Sequence, residues 1–153
     1  MKSLFITCII AAFFSPFKNN SYQVECISTS SEGSVVMKIW DAKKGNKYKL
    51  DQAKIDAIHS VLYSGISSSN GCIPQKPILS SQEDISKFKK IEKAFFGRKG
   101  TWLKYVRTST TESTLPDKIG EKNWTVYQIA VAKDLLRKDL IELKIIKSLN
   151  NGF

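Results

Sequence analysis

One histidine, His59, is all the imidazole that this sequence contains. A Ser-His-Asp or Cys-His mechanism would have to run through it. It lies beside Ile58 at the edge of an apolar helical stripe, which is the setting of a partly buried structural residue. Cysteine is scarce as well, with Cys8, Cys26 and Cys72 the only three. One histidine and two distant cysteines do not supply the three or four closely spaced ligands of a zinc site. Asp51, Asp56, Glu83 and Asp84 fall at helix starts or on polar faces, where solvent and the helix dipole account for them. Neither of the glycine-rich phosphate-binding patterns, G-x-x-x-x-G-K-[ST] or G-x-G-x-x-G, is present. The sequence therefore predicts no enzyme, no metal and no cofactor. A spanning segment is missing too. The longest apolar run, Leu4 to Phe14, holds about eleven residues, whereas about twenty are needed to cross a bilayer.

That short run has the form of an export leader. Lys2 gives a positive n-region, Leu4–Phe14 the h-region, and Ser15-Pro16 ends it before the polar Lys18-Asn19-Asn20-Ser21. Cleavage is expected near Ser21, although no clean A-x-A marks the site. The alternative is a buried N-terminal element. Cys8 follows Phe5-Ile6-Thr7 inside the h-region, a poor match to a lipidation signal. The expected organisation is a secretory signal over 1–21 and one domain over 22–153, periplasmic or secreted. Loss of Lys2 and Lys18 with the leader takes the net charge from +10 to +8. Such a surplus favours acidic partners, or else a lysine-rich solvated surface. Export leads to a compartment where disulfides persist, so Cys26 and Cys72 are expected to form one bridge, with two free buried thiols as the alternative. A bridge closing a loop of about 46 residues stabilises by roughly 4 kcal/mol at most.

Hydrophobic periodicity orders the domain. Tyr22, Val24 and Cys26 alternate with Gln23 and Glu25, and after the break at 28–33 Val35, Met37 and Ile39 alternate with Lys38 and Trp40. These predict an antiparallel hairpin. Leu50, Ala53, Ala57, Ile58, Val61 and Leu62 form a helical stripe with Lys54 and Asp56 outside it, ending at Gly65. Ser80 or Ser81 caps a second helix with Glu83 or Asp84 as the reciprocal partner, striped by Ile85, Phe88, Ile91 or Glu92, and Phe95. Alternation returns over Trp102–Thr108, a Ser/Thr loop follows to Gly120, and Trp124–Ala132 is the strongest strand. A last helix runs from about Lys133 to Lys147, striped by Leu136, Leu140, Leu143 and Ile146, and residues 150–153 form a tail. The prediction is an α+β two-layer sandwich, an antiparallel sheet with helices on one face, in the order β-β-α-α-β-β-α.

In the helix over 50–62, the strand Trp124–Val131 and the helix over 135–140, the chain resembles small surface lipoproteins and the N-terminal domain of flagellar assembly protein T. In those an A-x-x-x-A helix, here Ala53 to Ala57, packs on a curved sheet. It more closely resembles uncharacterised small exported proteins of Bacteroidetes-type bacteria. The segments that carry this are Val24-Glu25-Cys26, Ala57-Ile58-His59-Ser60-Val61, Leu136-Arg137-Lys138-Asp139-Leu140 and the Gly152-Phe153 end. The resemblance implies a fold and an envelope-associated, non-catalytic role beside a secretion or surface-assembly apparatus. The chain departs from the lipoproteins in lacking a convincing lipidated cysteine.

Cations interleave with aromatic residues at Lys38, Trp40, Trp102, Lys104 and Arg107, and again at Lys122, Trp124 and Tyr127. Rings among cations are how sheets bind single-stranded nucleic acid. Strand alternation puts Trp102 and Tyr105 on opposite faces, however, so about half of these rings belong to a core. The expectation is an exported binding or assembly module for an envelope protein partner, with Lys38, Trp40, Trp102, Lys104 and Arg107 as the candidate surface. The alternative is a binder of a polyanion, nucleic acid or the anionic headgroups of a membrane surface, with nucleic acid disfavoured by export. Cell fractionation with mass measurement of the product's N-terminus tests the location. A processed, extracytoplasmic protein starting near Ser21 is expected, and a full-length cytoplasmic one would refute it.

Overall fold

The computed structural model describes residues 21–68, 72–116 and 123–148, the side chains of 109–116 and 123 excepted. The expected signal over 1–21, Cys8, Lys122 and the Gly152-Phe153 end lie outside the described residues, Ser21 apart.

Four antiparallel strands form one sheet in the order β1-β2-β4-β3. They are β1 (Tyr22–Thr29), β2 (Ser34–Asp41), β3 (Val106–Pro116) and β4 (Asn123–Ala132). Three helices accompany them, α1 (Leu50–His59) and α2 (Gln82–Phe95) between β2 and β3, and α3 (Lys133–Glu142) after β4. The domain is a two-layer α+β sandwich. Val35, Met37 and Ile39 pair with Val131, Ile129 and Tyr127, and on the other side Cys26 and Val24 pair with Met37 and Ile39. Paired residues share a face. This row of side chains joins one cluster with Ala53, Ala57 and Ile58 of α1, Phe88 and Phe95 of α2, and Leu136 and Leu140 of α3. Burying side chains of this size contributes roughly 1.5–3 kcal/mol each.

Sequence dictates the local geometry at several points. Ser81 accepts from the Asp84 amide while the Asp84 carboxylate accepts from the Ser81 amide, a capping box that starts α2. α1 runs on through a single π turn, Ser60–Ser64, and stops at Gly65. The backbone there has φ +74°, and a Cβ would run into the carbonyl of Gln75. Glycine alone satisfies both conditions. Past that stop, the Ile66 and Gln75 amides and carbonyls exchange hydrogen bonds of 2.8 and 2.9 Å. The segment so formed delivers Cys72 to β1, where it is bonded to Cys26 with 6.1 Å between Cα atoms. β1 is an edge strand, and its register slips between Cys26 and Ser28. Such a bulge bends an edge and discourages further pairing.

The structure departs from the sequence pattern in four places. Thr101–Tyr105 is a 3-10 turn, not the start of a strand. Its three-residue period carries Trp102 and Tyr105 to the same side, and both are buried. The Ser/Thr segment expected as a loop continues β3 as far as Pro116, because β4 supplies its backbone partners. α3 ends at Glu142. Lys144 takes a positive φ of 57°, and the Ile145 amide bonds back to the Leu140 carbonyl. That reversal swings Ile145 and Ile146 inward and leaves Leu143 62% exposed, off the stripe it was expected to join. Finally Asp56, placed on a polar face by pattern, is buried.

Because the bridge ties the edge strand to the segment after α1, its loss releases a long loop in the unfolded chain. Reduction is expected to lower stability by roughly 2–4 kcal/mol. Urea unfolding with and without reductant measures this. Two thiols open to alkylation in the non-reduced, denatured protein would refute the bridge.

Candidate binding surface

The groups that could carry chemistry are largely engaged in structural bonds. His59 lies against the rings of Phe96 and Tyr63, at centroid separations of 4.7 and 5.3 Å with interplanar angles of 13° and 24°. Asp56 accepts the Tyr48 hydroxyl at 2.7 Å and the Gln52 amide at 2.8 Å. Burial, then the bond to Asp56 and its charge, push the Tyr48 phenol far above its ordinary pKa. Glu92 accepts the Tyr63 hydroxyl at 2.9 Å, and the Tyr63 phenol is likewise raised by burial and by that bond. Asp139 accepts the Tyr105 hydroxyl at 2.6 Å, and Tyr105 is pushed up to about 12 by burial and by Asp139. The Asp41 carboxylate accepts Ser21 and the amides of Lys43 and Lys44, and these bonds outweigh its burial and lower its pKa. Among the described residues no three of His, Cys, Asp and Glu converge as a metal would require.

The five candidate surface residues do not stay together. Trp102 is buried, and its indole donates to the Gly97 carbonyl at 3.0 Å. Lys104 is ion-paired with Asp139 on α3, with its ammonium 4.9 Å from the Tyr105 ring centre. Lys38, Trp40 and Arg107 do share a surface, the face of the sheet turned away from the helices. Register fixes this. Ser28, Val36, Ala130 and Arg107 form one cross-strand row, Glu25, Lys38 and Gln128 the next, and Gln23 and Trp40 a third. None of these residues belongs to the main core cluster, and Val126 is buried but also lies outside it. Trp40 is half-buried on this face, and its indole N–H is enclosed without an acceptor. Opposite charges stand directly across β1 and β2 at Glu25 and Lys38.

Hydrophobic periodicity passes over Tyr48, which lies in the polar stretch Ala42–Lys49 between the second strand and the helical stripe. Its signal was position. Tyr48 directly precedes the N-cap Lys49, where an apolar residue packs toward the fourth helical position, here the buried Ala53. Comparison with protein-family models, with curated proteins and with solved structures found no match.

The Asp139 carboxyl is held below the usual carboxylate range by Lys104 first and by Tyr105 next. A lowered folded-state pKa gives stability that is complete above the unfolded value, about 4, and is lost as pH falls through the folded one. The stability advantage of the natural protein over Asp139→Asn is therefore expected to be constant near neutrality and to shrink below about pH 4. Urea unfolding of both proteins across that range checks it. An advantage independent of pH would refute the assignment.

Proposed function

We propose that the protein is a non-catalytic binding module, exported to the cell envelope, whose outer sheet face docks a protein partner. The observation that carries this reading is Trp40, a large ring half-buried on a face that no helix covers among the described residues, with an indole N–H lacking an acceptor there. An enclosed donor without a partner costs free energy, and a turn of the half-exposed ring on docking would let a partner carbonyl recover it. Tryptophan and arginine are the residues most enriched where interfaces concentrate their binding energy. On this face Trp40 at one end and Val36 with Ala130 at the other flank a polar row of Glu25, Lys38 and Gln128, with Arg107 beside Ala130, so apolar and polar groups are interspersed. The Cys26–Cys72 bond supports an oxidising compartment. The engagement of His59, Asp56, Glu92 and Asp139 in ring contacts and tyrosine bonds supports a structural use for the chemically capable side chains.

Photo-crosslinking from position 38 or 128 in cells tests the reading. It should yield one discrete partner, lost on Trp40→Ala, whereas position 86 on the far side of α2 should yield none. Once that partner is purified, Trp40→Ala should weaken its binding by about 2 kcal/mol or more, the range of interface anchors, with an unchanged melting temperature. An oligonucleotide bound below micromolar concentration at moderate salt, and weakened by Trp40→Ala, would instead make this face a polyanion platform.

A further inference from the structure

Charge is distributed unevenly along α2. Its first turn carries Glu83 and Asp84, the former paired with Lys87 at 2.7 Å and the latter closing the capping box. Beyond that turn the exposed positions that carry charge are all cationic, Lys89, Lys90 and Lys93. Glu92 interrupts them in sequence, but its carboxylate is taken by the Tyr63 hydroxyl. The chain after α2 then doubles back. The Gly100 amide donates to Gly97 at 2.8 Å, and the Trp102 indole donates to the same carbonyl at 3.0 Å. A Cβ on Gly100 would overlap the Phe95 carbonyl, so only glycine permits so close a return. This loop holds Arg98 and Lys99, both exposed, at the end of the helix. Its far limb shows Leu103, 47% exposed, beside the buried Trp102. None of the five cations makes an ion pair among the described residues.

Folding does not call for this arrangement. Like charges at Lys89 and Lys93, four apart, and at Lys90 and Lys93, three apart, weaken a helix. The negative end of the helix dipole favours cations only near the last turn, which holds Lys93 but neither Lys89 nor Lys90.

We propose that this face of α2 and its trailing loop is a docking surface for an anionic phospholipid bilayer. It is separate from the outer sheet face and does not depend on that face having a protein partner. Five cations on a convex helix and loop match a plane of phosphates, and lysine stems can lie along the headgroups while their ammonium groups reach the anions. Leu103, exposed on the turn that follows this loop, would serve as an apolar tip for the acyl boundary. Of the nearby rings, Trp102, Tyr105 and Phe95 are buried and the half-buried Phe96 is stacked on His59, which disfavours a platform for bases. Among the described residues no helix is long and apolar enough to cross a membrane, so the association is peripheral.

Vesicle flotation of the full chain tests this, with phosphatidylcholine vesicles containing or lacking phosphatidylglycerol. Stronger binding to the anionic vesicles is expected, weakening as salt shortens the screening length. The triple variant Lys89→Gln, Lys90→Gln, Lys93→Gln should lose that preference by on the order of 100-fold at low salt. A control with the same net charge, Lys43→Gln, Lys47→Gln, Lys49→Gln, should keep most of it. Equal binding to both vesicle types, a preference that survives in the α2 variant, or an equal loss in the control would each overturn the proposal. So would an oligonucleotide or polyglutamate bound more tightly than the vesicles through the same three lysines, which would make the surface one for a nucleic acid or an acidic protein.

Discussion

The bond from the Tyr48 hydroxyl to Asp56 is the constraint around which the two layers assemble. Asp56 is 7% exposed and makes no ion pair among the described residues. A carboxylate in that position is costly unless its oxygens are bonded, and Tyr48 and Gln52 each bond one of them. The Tyr48 carbonyl in turn accepts the Tyr127 hydroxyl from β4 at 3.0 Å. One residue outside any strand or α-helix thus connects the sheet to α1. The same device recurs at Tyr63–Glu92 and Tyr105–Asp139. Each helix carries one carboxylate held by a tyrosine from a neighbouring turn or connection. These bonds are directional, whereas apolar burial is not, so they fix how each helix is seated where packing alone would permit small shifts.

Legibility in the sequence followed the length over which a pattern could be read. Alternation over Val35–Trp40 and over Trp124–Ala132 predicts strands whose inward faces the structure reproduces. The cap at Ser81 was readable because its chemistry is local. Trp102–Tyr105 failed for the opposite reason. Over four residues a period of two and a period of three are barely distinguishable, and Gly97 with Gly100, not the ring spacing, decided between them. Leu143 failed because the helical period says nothing about where a helix stops, and a lysine in the left-handed region is a weak stop signal. Asp56 failed because pattern reading assigns a carboxylate to water. Its partner Tyr48 lies eight residues away, outside any helical repeat.

The candidate surface was legible by half. Lys38 and Trp40 are two apart on one strand, so their shared face follows from the pleat. Arg107 reaches the same face only through β4, by the pairing of Val36 with Ala130 and of Ala130 with Arg107. A strand order of 1-2-4-3 was not available from sequence. Trp102 and Lys104 were drawn in by proximity to Arg107 along the chain, and the 3-10 turn removes them, one into the core and the other onto Asp139.

The tyrosine–carboxylate bonds also bear on the surface. The sequence suggests lysines spread along the chain and partly balanced by acids. In the fold the acids are not equally available to balance them. Asp56 and Glu92 are bound to phenols and make no ion pair among the described residues, whereas Asp139 and Asp41 also pair with Lys104 and Lys44. Each carboxylate committed inward leaves neighbouring cations less compensated at the surface than composition implies. On α2 this acts directly. Glu92 lies three residues after Lys89, within reach of an intrahelical pair, and accepts the Tyr63 hydroxyl instead. Seating the helix and exposing an uncompensated basic face are therefore two consequences of the same hydrogen bond.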